Sequence, residues 1–289
     1  MSGANLYYPW ADIAADAGLV VRVTDTNAGW ERRARSSGGF PAAPLAVMWH
    51  HAASSTSTSD EACVNYQVRG NPDNPVGNIT LGRNGDVWPI AGGASNCSGK
   101  GGPMTFSRGT CATDCGNTAL VNIEVNNDGI GGPWSVQLVD AYFALSNALN
   151  ASLANRPDDI TSHALGDGSG YTDRKIDPAT ADAVQGPWRP RSVNSSGTWS
   201  LPDMRAEALA RAGTAPAPSP LPPIGDDMPA RLIKGGDNPT VYAWDGTTIA
   251  AIPPGWDTAG LTYGLYDPAP VETYAQSDID ALLTHQGIR

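Results

Sequence analysis

Two histidines and one aspartate of this chain are spaced in a way that would suit a bound metal ion. His50 ends a short apolar run, His163 ends the segment Ile160-Thr161-Ser162-His163, and Asp177 lies beyond a Gly-rich loop. Two imidazoles and a carboxylate give zinc three protein ligands and leave a fourth position for water, as in catalytic zinc sites. Taken alone, a pair such as His50-His51 is more often one packed and one exposed histidine than a metal ligand and its neighbour.

Two further residues could complete a hydrolytic site. Residues 120–127 alternate apolar and polar positions as a strand does, which places Glu124 and Asn122 on the same face. Glu124 could then take a proton from a metal-bound water. Lys175 lies two residues before Asp177, on the same side of an extended segment, and could stabilise a tetrahedral oxyanion.

Strands and helices must bring these residues together, and the sequence predicts both. The run at 45–50 is short and bounded by turn residues, which is typical of a buried strand. Asn84-Gly85 between two alternating runs predicts a β-hairpin. Strands are also predicted at 19–23 and 120–127, and helices at 12–19, at 60–69, after an N-cap at Ser135, and at 201–212. These elements predict an α/β fold.

Composition limits the classes of partner. The chain has 289 residues and a formal net charge of −11, and it lacks basic runs. Such a chain is not expected to bind nucleic acid, because phosphate recognition needs clustered Lys and Arg. No apolar run approaches the roughly 20 residues that span a bilayer, so no membrane insertion is expected. The N-terminus does not resemble a signal peptide, which predicts synthesis in a cytoplasm.

A Pro-rich stretch divides the chain. Residues 213–223 are interpreted as a stiff linker between residues 1–212 and a small module at 224–289. The small module has hairpin signals and a capped helix at 277–283, so it is expected to be β-rich with some helix. We interpret it as cell-wall binding, and an oligomerisation or spacer role stays open.

Four cysteines leave the redox state open. Cys63, Cys97, Cys111 and Cys115 allow three pairings, and the sequence does not choose among them. Reduced thiols are the default in a cytoplasmic product. A Cys111–Cys115 disulfide formed after release is the second expectation, and a cysteine zinc site is the third.

Several of these motifs resemble those of one enzyme family. The motifs are His50-His51 after an apolar strand, Asn84-Gly85 after Arg83, the strand Asn122-Ile123-Glu124-Val125, and His163 with Arg174-Lys175-Ile176-Asp177-Pro178. Together they resemble the zinc N-acetylmuramoyl-L-alanine amidases of the amidase-2 family, which is related to peptidoglycan recognition proteins. The segments 94–101 and 126–134 resemble endolysins of phages that infect actinobacteria.

The resemblance implies a fold and a set of roles. The fold would be a mixed central β-sheet flanked by helices. His50, His163 and Asp177 would bind Zn²⁺, Glu124 would be the catalytic base, and Lys175 its electrostatic partner. Substrate contacts would come from His51, Asn78, Asn96 and Asn126.

The chain departs from the family pattern at two places. Gly77 stands where some branches have a tyrosine, so Glu124 would act in its place. Asp173 replaces a usual glycine, and the spacing from His163 to Asp177 is longer than usual.

The implied function is hydrolysis of the amide bond between N-acetylmuramic acid and L-alanine in bacterial peptidoglycan. The chain would be a phage endolysin, made in the host cytoplasm and released to the wall through a holin-type pore. Two alternatives are a non-catalytic peptidoglycan-binding protein and a wall-degrading component of the virion or tail.

Overall fold

A computed structural model describes residues 5–70, 74–163, 181–192 and 199–213, together with four short strands nearer the C-terminus. The chain divides into two compact units, residues 1–223 and residues 224–289. Among the described residues, no helix is both long and apolar enough to cross a membrane.

The first unit contains seven described strands and five described α-helices. The strands are β1 (Ala46–His51), β2 (Ile79–Leu81), β3 (Val87–Pro89), β4 (Met104–Phe106), β5 (Gly109–Cys111), β6 (Leu120–Val125) and β7 (Ile160–Ser162). The helices are α1 (Trp10–Asp16), α2 (Asp60–Asn65), α3 (Gly116–Ala119), α4 (Val136–Ser152) and α5 (Leu201–Ala212).

Five of the strands form one mixed sheet in the order β3-β2-β6-β1-β7. Strands β2, β6, β1 and β7 run parallel, and β3 pairs antiparallel with β2 across the predicted hairpin. This arrangement confirms the predicted α/β fold with a mixed central sheet. The carboxyl ends of the parallel strands meet at one edge, where open α/β sheets place their ligands.

The two faces of the sheet are covered differently. One face is apolar and packs against α1, α4 and α5, with Trp49, Ile123 and Tyr142 fully buried between them. The other face is apolar at the edge strand β3, where Trp88 packs against α2, and near the start of β1, where Met48 packs on the β4–β5 hairpin. Farther along, it carries buried polar side chains. The alternation of side chains along each strand separates the two environments.

Most predicted elements are confirmed, with local corrections. Ser59 and Ser135 cap α2 and α4, and each side chain accepts a hydrogen bond from a backbone N–H three residues later. After α2 the chain continues as a π-helical turn over Tyr66–Gly70. The prediction of a strand at 19–23 is wrong, because this segment makes only an isolated bridge from Val21 to Val87.

Tyr142 joins α4 to the centre of the sheet. Its hydroxyl accepts a hydrogen bond from the backbone N–H of His50 at 2.9 Å and lies 2.9 Å from the carbonyl oxygen of Ile123, to which it donates. Its ring stacks on Trp49 with ring centroids 3.6 Å apart. One side chain therefore holds β1 and β6 together at the level of His50.

The cysteine pairing corrects the default expectation of reduced thiols. Cys111 and Cys115 form a disulfide, because β5 and the following turn bring their Cα atoms to 5.8 Å, within the range that a disulfide spans. Cys63 and Cys97 are buried and take no part in a disulfide. Burial is the main cause that raises the pKa of Cys63 to about 12, and the charge of Glu124 adds to it.

The second unit is described only through its strands. These are β8 (Arg231–Gly235), β9 (Val241–Trp244), β10 (Ile249–Ile252) and β11 (Glu272–Tyr274), in the order β10-β9-β8-β11. The antiparallel pairs β8–β9 and β9–β10 agree with the predicted hairpins. The helix predicted at 277–283 and most of the linker lie outside the described residues.

We expect Tyr142→Phe to lower the free energy of unfolding by roughly 1–3 kcal/mol, because it keeps the stacked ring but removes the buried partner of the His50 N–H. Urea denaturation measures this change, and Tyr66→Phe at a half-exposed tyrosine is the matched control. Equal losses in the two variants would contradict the bridging role of Tyr142.

A second prediction concerns Asp12 in the first turn of α1. Partial burial, and then the charges of Asp16 and Glu31, raise its pKa from 3.8 to about 7. The folded state therefore keeps this proton up to about pH 7, whereas the unfolded chain releases it near pH 4. Stability falls as the pH rises between these values.

Asp12→Asn should flatten this pH dependence. We expect wild type and variant to match near pH 4 and the variant to be more stable by roughly 1 kcal/mol at pH 8, after allowance for solvent screening. Thermal unfolding across this range measures the difference, with Asp25→Asn as an exposed control. Parallel curves for wild type and Asp12→Asn would contradict the argument.

Candidate metal centre and active site

The parallel register aligns the polar residues at the carboxyl edge of the sheet. Thr80 of β2 and His50 of β1 are each the register partner of Glu124 in β6. Trp49 pairs with Ser162 in β7, so His163 follows directly beside His50. Four neighbouring strands thus contribute one row of side chains: Thr80, Glu124, His50 and His163. All four are almost completely buried.

The tautomer of His50 follows from its neighbour Asn122. The Nε2 atom of His50 lies 2.9 Å from Oδ1 of Asn122. A side-chain carbonyl oxygen only accepts hydrogen bonds, so Nε2 carries the proton and Nδ1 keeps its lone pair. A histidine that binds a metal through one nitrogen usually donates from the other in this way.

The spacing of the two imidazoles fits a shared metal ion. Nδ1 of His50 lies 3.0 Å from Nδ1 of His163. Two nitrogen ligands of a tetrahedral zinc, each about 2.0–2.1 Å from the metal, are separated by roughly 3.3 Å. Ligand atoms of His50, Cys97 and Glu124 also lie within 4.8 Å of one another. Imidazole, carboxylate and thiolate groups are all ligands that zinc accepts.

Glu124 is the buried carboxylate beside this pair. Only 1% of its surface is exposed, and its Oε1 accepts a hydrogen bond from the thiol of Cys97 at 3.0 Å. Gly77 packs against it, with φ of +81°, and a Cβ built there would lie 3.3 Å from Cγ of Glu124. A larger side chain at position 77 would crowd Glu124, which is a physical reason for glycine where the family can have tyrosine.

The structure places the side chain of His51 apart from those of His50 and His163. Side chains alternate along β1, so His51 points away from the face that carries His50. Its Nδ1 accepts a hydrogen bond from the N–H of Ala53 at 3.2 Å, and its ring packs on Gly129, where a Cβ would come within 2.2 Å of it. The geometry favours His50 over His51 as the ligand.

Two of the asparagines expected to contact substrate are internal. Asn78 is fully buried, donating to the carbonyls of Ala91 and Gly93. Asn126 is also fully buried and donates to Asp60 at 2.7 Å. Both amides are used within the protein, so neither Asn78 nor Asn126 is placed to contact substrate. Asn96 is half-buried beside the site, and its substrate contact stays a prediction.

Sequence reasoning missed three residues of the site: Cys97, Ser98 and Asn122. Cys97 and Ser98 contact Glu124 and Asn122 from an irregular segment whose path no periodicity predicts. The alternation of β6 did place Asn122 on the face of Glu124, but not against His50. Asp177 and Lys175 lie outside the described residues, so their roles as ligand and electrostatic partner stay predictions.

One comparison with known proteins matches the part of the chain that contains this site. The model of the Amidase_2 family, described as N-acetylmuramoyl-L-alanine amidase, matches residues 41–180, which contain β1 to β7 and every predicted catalytic and zinc-binding residue. No curated protein matches the chain. One similar solved structure is the endolysine N-acetylmuramoyl-L-alanine amidase LysCS from Clostridium intestinale URNW, with 13% identity and a TM-score of 0.31. That match covers 50% of this chain and 80% of LysCS.

Residues 41–180 contain all four strands that supply the polar row, and the same residues match the family model. Residues 41–180 are therefore similar to the Amidase_2 family, which is described as N-acetylmuramoyl-L-alanine amidase.

Proposed function

We propose that this protein hydrolyses the amide bond between N-acetylmuramic acid and L-alanine in peptidoglycan, with a zinc ion bound by His50, His163 and Asp177. The observation that carries the proposal is the pair of Nδ1 atoms 3.0 Å apart, within a buried row that also contains Glu124. Asp177 enters through the resemblance to the family motif. The match to the amidase family supports the choice of bond.

The zinc ion would supply a water of lowered pKa and a polarised substrate carbonyl. Residues of the protein would transfer the proton and stabilise the developing charge. Glu124 accepts a proton from the attacking water and passes it to the departing nitrogen of L-alanine, which breaks the C–N bond. Lys175 stabilises the negative charge that develops on the carbonyl oxygen.

Burial makes these groups effective. Few water dipoles reach a carboxylate that is 1% exposed, so charges in the site interact more strongly than they would at the surface. The hydrogen bond from Cys97 and the packing of Gly77 restrict the rotamers of Glu124. His50 is fixed through Asn122 at its side chain and through Tyr142 at its backbone.

We further propose that the protein acts as a phage endolysin on actinobacterial cell walls. The segments 94–101 and 126–134 support this role through their resemblance to such enzymes. A non-catalytic binding protein fits less well, because both imidazoles and the carboxylate Glu124 are present. A virion-borne hydrolase would use the same chemistry at another stage of infection.

Glu124→Gln should lower kcat by at least about 100-fold, because the amide keeps the shape of the carboxylate but cannot act as the base. The assay counts new L-alanine amino termini released from actinobacterial peptidoglycan, with bound zinc determined in the same samples. Glu207→Gln, on the α5 side of the sheet, is the control and should cleave as wild type does. Cleavage by Glu124→Gln at the wild-type rate would rule out this base.

His50→Ala should lose stoichiometric zinc, whereas His51→Ala should retain it. The two histidines are neighbours in β1, and only the first faces His163. Metal analysis after dialysis against a weak chelator compares the two variants, and circular dichroism checks that both fold. Zinc retained by His50→Ala but lost by His51→Ala would reverse the ligand assignment.

A further inference from the structure

Two consecutive residues of the loop that follows β3 contact two different parts of the site. The thiol of Cys97 donates to Oε1 of Glu124 at 3.0 Å. The hydroxyl of Ser98 donates to Oδ1 of Asn122 at 2.6 Å, and that same oxygen accepts from Nε2 of His50 at 2.9 Å. This short segment therefore contacts the carboxylate of Glu124 directly and the imidazole of His50 through the side chain of Asn122.

The segment is anchored to the chain just before β6. Oδ1 of Asn117 accepts hydrogen bonds from the backbone N–H groups of Cys97 and Ser98, at 2.7 and 2.8 Å. The carbonyl oxygen of Asn117 accepts a third from the N–H of Ser95 at 3.3 Å. Because Asn117 lies in α3, which leads directly into β6, the anchor and Glu124 belong to one continuous stretch of backbone.

We propose that Cys97 and Ser98 are positioning residues for the amide hydrolysis, Cys97 acting on Glu124 and Ser98 acting on His50 through Asn122. This inference rests on the proposed function. It assigns different roles to two neighbouring side chains: one orients the proton acceptor, and the other orients a proposed metal ligand.

The hydrogen bonds explain each half of the proposal. A donor on Oε1 selects one rotamer of Glu124 and directs its remaining acceptor capacity toward the water that is to be deprotonated. Two donors on Oδ1 of Asn122 fix the orientation of that amide, so its oxygen and not its nitrogen meets His50. His50 then keeps its Nε2 proton, and its Nδ1 lone pair stays available to a metal.

The proposal assigns a protonated thiol to Cys97, although its sulfur also lies among atoms that could bind a metal. The two roles have different spectroscopic signatures. A thiolate bound to Co²⁺ gives an intense near-ultraviolet charge-transfer band, whereas a thiol that donates to a carboxylate gives none. Cobalt-substituted wild-type protein therefore distinguishes a positioning thiol from a ligand.

The experiment compares Cys97→Ala, Cys97→Ser and Ser98→Ala in the full-length chain. Its readouts are kcat and KM on peptidoglycan, zinc affinity by chelator competition, and the cobalt spectrum. Loss of an outer hydrogen-bond partner typically costs about 10–100-fold in metal affinity or activity. The controls are Cys63→Ala, which removes the other buried cysteine outside the disulfide, and Ser152→Ala, which removes a buried hydroxyl from α4.

We expect Cys97→Ala to lower kcat by about 10–100-fold with KM and zinc affinity unchanged, and Cys97→Ser to recover most of the loss, since its hydroxyl can donate to Glu124. Ser98→Ala should weaken zinc binding by about 10–100-fold. The controls should match wild type in both readouts, and the cobalt spectrum should lack a thiolate band.

Four results would overturn the proposal: a thiolate–cobalt band that disappears in Cys97→Ala, wild-type kcat in Cys97→Ala, a Cys97→Ser variant no better than Cys97→Ala, or unchanged zinc affinity in Ser98→Ala. Failure of the proposed function looks different. In that case wild type itself would release no L-alanine termini, while the zinc affinity of Ser98→Ala would still test the positioning of His50.

Discussion

The hydrogen bond between His50 and Asn122 is the interaction on which the site depends. It leaves the lone pair of His50 on Nδ1, the atom 3.0 Å from Nδ1 of His163. The bond exists because the parallel register places β6 beside β1 and β1 beside β7. A shift of that register by one residue would turn Glu124, Asn122 or His50 toward the apolar face and separate the row.

Buried polar groups are costly unless they are hydrogen-bonded, and this half of the sheet contains many of them. The protein satisfies them with one another. Asn78 supports the loop after β3, Asn117 holds Cys97 and Ser98, and those two residues contact Glu124 and Asn122. The same hydrogen bonds that make burial tolerable also hold the reactive groups in one arrangement, so stability and chemistry share a network.

The sequence predicted the framework of the site because regular elements leave local patterns. The apolar run ending at His50 and the alternation around Glu124 were sufficient to place both at one edge of the sheet. Loop contacts leave no such pattern, so the contact of Cys97 with Glu124 was not foreseen. The internal hydrogen bonds of Asn78 and Asn126 were not foreseen either, because an amide that binds within the protein and one that binds substrate look the same in sequence. The Cys111–Cys115 bridge was only a second expectation, since pairing depends on the turn that brings them together.

X-ray absorption of zinc-loaded protein at the zinc edge tests most directly whether His50 and His163 bind one metal ion. We expect one zinc per chain with two imidazole nitrogens in its coordination shell and no sulfur, and a single imidazole after His163→Ala. A shell that contains sulfur, or one that keeps two imidazoles in His163→Ala, would contradict it.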